Sequence, residues 1–282
     1  MGLIYAINNL ITADASINVS SEDSIYTKDK LYNIRPSYPF RFLGDRASVR
    51  ANPEYICVDF GQDTNITLVA VFNHNLLGTS SGADITLKAA DLVCPGISGA
   101  GDWDLSGNCV TSLLDRLVSN HRNFYKKLDC VPYEAWLLEV DDVDVQIPQI
   151  GELFMGQWAE FSGNVRLTPG RTDGPEFIFG QQQTHWGQDW VDFRSESEAN
   201  FTLQFTNLQN QNVFDEFHLF LRNVAINNGK FVFIPNDSYP FVYYVVIKNV
   251  GHAVRNVSGS FGYLKTYDIE LRSLTEGISL IS

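Results

Sequence analysis

The sequence has little with which to build a catalytic or nucleotide-binding site. Its five histidines, His74, His121, His185, His218 and His252, stand apart, with no H-E-x-x-H or H-x-H, so spacing alone converges no pair of ligands on a metal. G-x-S-x-G, the phosphate loop G-x-x-x-x-G-K-S/T and a G-x-G-x-x-G opening a helix are all missing, which removes the nucleophile elbow and the phosphate cradles. Gly96, Gly99 and Gly101 form a Gly-rich stretch that does not lead from a strand into a helix and reads as a surface loop. Asp141, Asp142 and Asp144 lack the glycine kink of a calcium loop and read as a solvated turn. The expectation is a protein without enzymatic activity, catalytic residues, metal or cofactor.

Long apolar runs are also missing. None reaches the roughly 20 residues that span a bilayer, and the opening MGLIYAINNLITADAS has no basic leader, so a soluble chain without a secretory signal is expected. Basic residues are few and scattered, 20 against 33 acids for a net charge of −13. A phosphate-binding footprint needs clustered Lys and Arg, which argues against affinity for nucleic acid. The four cysteines, Cys57, Cys94, Cys109 and Cys130, include no C-x-x-C pair, so neither a zinc ribbon nor a redox motif is supported. With no secretory signal, reduced thiols are expected; were a disulfide present, Cys94 with Cys109, flanking the Gly-rich loop, would be the suspected pair.

Aromatic residues, in contrast, are plentiful. They make up 13% of the 282 residues, with 19 Phe and 12 Tyr, a composition that favours strands. Short apolar or alternating runs punctuated by turn residues recur at Tyr55–Phe60, Ile66–Phe72, Ala83–Ala89 and Ala135–Val140, the texture of a β-sandwich. Pro95 to Asp104 reads as a loop, and Val110 to Val118 as a short helix opened by Thr111 or Ser112. After Gly156 the texture changes and turn formers crowd Thr168 to Pro175, which places a boundary near Gly163 and divides the chain into residues 1–163 and 164–282.

The second part opens with strand-like Glu176–Phe179, followed by Phe201–Asn207, in which Phe201, Leu203 and Phe205 share one face at period two. Val213, Phe214, Phe217, Phe220, Leu221 and Val224 then follow helical spacing, with Asn212 as cap and Asp215 and Glu216 in the first turn. One helix near 212–227 is predicted, with Phe214, Phe217, Leu221 and Val224 as its buried stripe. Strands are predicted at Lys230–Ile234, Phe241–Asn249 and Lys265–Ser273, the last with Tyr267, Ile269 and Leu271 facing inward.

Of the five tryptophans, Trp136 lies among apolar neighbours and reads as core. Trp186 and Trp190 stand in a polar context and form the one plausible platform, either for stacking on a sugar ring or for an interface contact.

One series of segments is more specific. Lys30–Arg41, with its Asn33-Ile34-Arg35-Pro36 opening, leads to Val58-Asp59-Phe60-Gly61, to Asn73-His74-Asn75-Leu76, to Ile85–Asp91, to Trp136–Val140 and to Ile150-Gly151-Glu152-Leu153-Phe154-Met155-Gly156. This order resembles the discoidin-like, galactose-binding-like β-sandwich of tailed-bacteriophage virion proteins, over about residues 20–160. Asp59-Phe60-Gly61 ends a strand in a turn glycine, and Asn73, His74 and Asn75 supply side chains able to saturate loop backbone, a structural role. The order strand, helix, β-meander in the second part resembles the small β-barrel with one helix of tail-tube, distal-tail and baseplate-hub proteins.

The resemblance implies a mainly β protein, a discoidin-like sandwich followed by a small barrel. It further implies a non-enzymatic structural component of a phage tail, located in the virion and assembled in host cytoplasm beside other tail proteins. A closed homo-oligomeric ring of three-fold or six-fold order is expected, joined through the second part. Two observations fit: Phe241–Ile247 is apolar on both faces, and rings that line a DNA passage are often acidic. The alternative is a carbohydrate-binding module contacting host glycans through loops at one end of the sandwich.

Overall fold

A computed structural model describes residues 3–12, 15–33, 38–43, 54–76, 84–90, 110–112, 123–141, 148–163, 165–167, 176–183, 189–198, 200–206, 210–236, 242–256 and 263–274. It divides into two compact units, one of Asn8–Trp158 with Pro240–Val242, the other of Met1–Ile7, Ala159–Tyr239 and Tyr243–Ser282. A single cut near Gly163 therefore differs from the observed division, because the first seven residues complete the second unit's sheet. Strand β1 (Ile4–Ala6) lies between two partners, with Ile4 opposite Ile234 on one side and opposite Glu160 on the other. The sandwich unit is thus inserted into a connection of the second unit. A three-residue strand paired across more than two hundred positions leaves no local signal in the sequence.

The first unit contains β2 (Ser16–Val19), β3 (Phe40–Arg41), β4 (Glu54–Thr64), β5 (Leu68–Phe72), β6 (Asp84–Ala90), β7 (Val110–Ser112), β8 (Phe124–Lys127), β9 (Tyr133–Asp141), β10 (Gln149–Ile150) and β11 (Glu152–Gly156). A five-stranded sheet, ordered β2-β4-β9-β6-β7, and a three-stranded sheet, ordered β11-β5-β8, contribute to one apolar core, and β3 pairs with β10. Alternation sorts the faces. Trp136, Leu138 and Val140 of β9 enter that core beside Val69, Val71 and Leu153, whereas Ala135 and Leu137 join a smaller cluster with Cys57 and Ala90 on the other face. This is the β-sandwich expected for the first part. Burying a side chain the size of Leu138 or Phe40 contributes about 1.5–3 kcal/mol, and Trp136, fully buried, keeps its indole N–H bonded to the Tyr133 carbonyl at 3.3 Å.

Two expectations for this unit are corrected. Val110–Ser112 forms a strand on β6, with Lys88 opposite Val110, where a short helix was predicted; β-branched Val110 and Thr111 suit an edge strand, and residues 113–122 lie outside the described ones, as do 91–109. Cys57 and Cys130 are disulfide-bonded, and no described cysteine is free, against the expectation of reduced thiols. That expectation rested on compartment, which the residues themselves do not encode; Cys94 and Cys109 lie outside the described residues.

In the second unit, β12 (Ala159–Glu160), β13 (Val165–Leu167), β16 (Asn200–Phe205), β17 (Lys230–Ile234), β18 (Tyr243–Asn256) and β19 (Tyr263–Ser273) join β1 in a seven-stranded sheet ordered β12-β1-β17-β18-β19-β16-β13. Two further strands, β14 (Glu176–Gln183) and β15 (Asp189–Glu198), pair with each other. Among the described residues the seven-stranded sheet is open, ending at β12 and β13, and does not close into the expected barrel. The predicted alternation holds: Phe201, Leu203 and Phe205 are buried, as are Ile269 and Leu271, with Tyr267 packed beside them.

The sheet's helix, α1 (Gln211–Ile226), is capped by Asn210, whose side-chain oxygen accepts from Asn212 N at 3.0 Å. It ends at Gly229, which at φ 78° takes the left-handed turn that lets its N–H reach the Val224 carbonyl. The cap is therefore two residues earlier than predicted. Val213, Phe217, Phe220 and Val224 form the buried stripe. Phe217 and Val224 were predicted there, and Leu221 packs half-buried against the same cluster. Phe214 does not: it is exposed and stacks on His218 at 4.2 Å. Spacing permits a stripe centred on either phenylalanine, and the aromatic cluster decides. Phe220 meets Tyr5, Phe161 and Phe231 at 5.2, 5.0 and 5.3 Å, contacts a helix rotated towards Phe214 would lose.

The two apolar faces of Phe241–Ile247 had suggested burial by neighbouring subunits. Within the single chain Val242, Tyr244 and Val245 are buried, whereas Tyr243, Val246 and Ile247 are half-buried, and Phe241 lies outside the described residues. Among the described residues no helix is long and apolar enough to cross a membrane.

Candidate functional site: the Tyr26 and Arg41 surface

Between β2 and β4 the described residues 20–33 and 38–43 form an excursion, and local hydrogen bonds explain its first part. The Asp23 side chain accepts from Ile25 N at 2.8 Å and Tyr26 N at 3.3 Å, a turn typical of aspartate. Glu22 accepts from Lys28 N at 2.6 Å and leads into a short 3-10 helix, Lys28–Tyr32, anchored by the buried Leu31. At its start the Thr27 hydroxyl donates to Asp29, and Lys30 sits 2.9 Å from the same carboxylate. The Thr27 bond first, then Lys30, hold the Asp29 carboxyl below its ordinary range.

The return strand β3 places a cation on this surface. Phe40 and Phe42 are fully buried and pack edge to face at 4.8 Å, so the residue between them, Arg41, is turned the other way. Its backbone is fixed on both sides, with Arg41 N donating to the Tyr26 carbonyl and Asp23 N to the Arg41 carbonyl, while Gln149 of β10 pairs opposite. The guanidinium lies 3.7 Å from the centre of the Tyr26 ring, within cation–π distance. Its Nε is buried and has no hydrogen-bond partner among the described residues.

The same excursion exposes three large apolar side chains: Ile25 at 74%, Tyr38 at 60% and Leu43 at 64%. Leu43 N donates to the Ser21 hydroxyl, which itself donates to the Glu54 carboxylate at 3.0 and 3.1 Å. Ser20 donates to the same carboxylate and accepts from Tyr55 N at 2.9 Å. These bonds tie the excursion to the start of β4. Beside them, burial first and the Glu54 charge second push the Tyr55 phenol upward. The surface therefore combines a stacked guanidinium with free donor capacity and exposed apolar and aromatic groups, suited to binding a polar molecule that also has C–H faces.

The residues singled out in the sequence fall elsewhere. Trp190 is in β15 of the second unit, opposite Gln182, and Trp186 lies outside the described residues. Asn73, His74 and Asn75 have the structural role expected. Asn73 adopts φ 48°, His74 Nδ1 accepts from Leu76 N at 3.1 Å, and Asn75 accepts from Gln149 N at 2.8 Å. Among the described residues no group of His, Cys, Asp and Glu is placed to hold a metal ion. Arg41 and Tyr26 were missed. Their one legible trace is the arginine between two phenylalanines, Phe40-Arg41-Phe42, which marks a cation on the solvent side of a buried strand.

No protein-family model and no curated protein matches the chain. Solved structures similar in part include the family 32 CBM from C. perfringens NanJ in complex with galactose, at 11% identity over 55% of this chain and 99% of that one, with TM-score 0.35. Chitosan-binding module 1 of a chitosanase/glucanase from Paenibacillus sp. IK-5 is similar at 10% identity over 53% of this chain and 99% of that one, TM-score 0.39. A Ruminococcus gnavus GH29 fucosidase in complex with fucose is similar at 12% identity over 54% of this chain, TM-score 0.37, and the match spans only 27% of the fucosidase.

Proposed function

We propose that the sandwich unit is a saccharide-recognition module, without catalytic activity of its own, that binds its ligand at the Tyr26 and Arg41 surface. The observation that carries this reading is the half-buried Arg41 guanidinium, held on the Tyr26 ring with no ion pair among the described residues, in a chain segment that also exposes Ile25, Tyr38 and Leu43. Sugar rings offer apolar C–H faces to aromatic and aliphatic side chains and hydroxyls to a multi-donor cation. A glycan array probed with the full chain tests it: binding that Tyr26→Ala and Arg41→Ala both weaken by about tenfold or more is expected, and a chain that binds no glycan contradicts it.

A second reading is the structural subunit of a phage tail, to which the sequence segments pointed. The outer face of α1 favours it, since Leu219 and Ile226, two turns apart on the same face, are 60% and 72% exposed. Apolar groups gathered on one face suit a partner surface. Electron microscopy of an assembled particle containing this chain, with α1 either covered by a neighbour or bare, tests that reading.

A further inference from the structure

We infer that the group received by Arg41 is the carboxylate of an acidic saccharide, an inference that rests on the proposed saccharide site. Arginine remains cationic at every physiological pH, and its planar fork of N–H donors matches a carboxylate. In a chain with 33 acidic residues, a half-buried arginine is expected to find one of them. Among the described residues Arg41 has not, and the reason is visible.

Each described carboxylate around the excursion is engaged elsewhere: Asp23 by the backbone of Ile25 and Tyr26, Glu22 by Lys28 N, Asp29 by Thr27 and Lys30, and Glu54 by Ser20 and Ser21. The guanidinium is meanwhile held in place by β3 backbone bonds and the Tyr26 ring. The buried Nε–H has no acceptor among the described residues, so no neighbouring carboxylate offsets the charge from that side. The cation is thus oriented, uncompensated and short of one acceptor, whereas a neutral hydroxyl would leave its charge unmatched. The apolar groups Ile25, Tyr38 and Leu43 favour a carboxylate carried on a ring with C–H faces over a small free anion.

The test compares uronate- or sialate-bearing glycans with their neutral and sulfated counterparts, binding to the full chain at about 0.15 M salt, where screening confines charge effects to roughly 8 Å. Carboxylated glycans are expected to bind. Arg41→Ala should weaken them by about tenfold or more, in the range of a charge-assisted hydrogen bond. Arg41→Lys, which keeps the charge but loses the fork and Nε, should weaken them as well, with an unchanged thermal transition showing that both variants fold. Binding of neutral glycans alone would overturn this inference and leave the saccharide reading standing. Binding of sulfated glycans alone would overturn the carboxylate assignment, and binding of none would remove both.

Discussion

Asn75 and Gln149 hold each other at one edge of the sandwich by two hydrogen bonds. Gln149 N donates to the Asn75 side-chain oxygen at 2.8 Å, and Asn75 N donates to the Gln149 carbonyl at 3.3 Å. Gln149 also pairs across the ladder with Arg41, so the turn after β5 supports the strand pair that carries the candidate site.

Asn75→Ala removes the acceptor for Gln149 N in a half-buried position. A loss of about 1–2 kcal/mol in chemical denaturation is expected, the cost of a buried donor left unpaired. Asn75→Asp keeps an acceptor oxygen and should lose less; equal losses in the two variants would show that the bond to Gln149 is not the reason.

The helix gives a sharper contrast. Phe217→Ala and Phe220→Ala each truncate a fully packed ring and should cost about 3–5 kcal/mol, whereas Phe214→Ala, exposed and stacked on His218, should cost below about 1 kcal/mol. Urea denaturation of the three variants checks the order. A large loss at Phe214 with a small one at Phe220 would rotate α1 back to the stripe expected from spacing.

Cysteine oxidation is counted directly. With Cys57 and Cys130 disulfide-bonded, labelling under denaturing, non-reducing conditions should find at most two free thiols of the four cysteines. Four would contradict the oxidised state.

Much of the fold was legible because its signals are local. Phe201, Leu203 and Phe205 alternate cleanly, Lys230–Ile234 is apolar between turn residues, and Trp136 stands among aliphatic neighbours; all three are buried as expected. The misses share one cause, the dependence of a residue's state on partners distant in sequence. Strand β1 exists because β17 is there to receive it, and Phe214 is outside because Tyr5 and Phe161 face Phe220. The site was the least legible part. That Arg41 lacks an ion pair among the described residues follows from where Asp23, Glu22, Asp29 and Glu54 direct their oxygens, which no spacing reveals.

The most direct measurement follows the Arg41 Nε–Hε resonance in a 15N-labelled sample titrated with a carboxylated glycan, assigned by its absence in Arg41→Lys. The account predicts a saturable shift of this resonance together with the Tyr26 ring signals, because a carboxylate at the guanidinium changes the charge felt at Nε and at the ring stacked on it. A titration in which glycan binds and shifts other residues while Arg41 Nε–Hε and Tyr26 stay unmoved would contradict it.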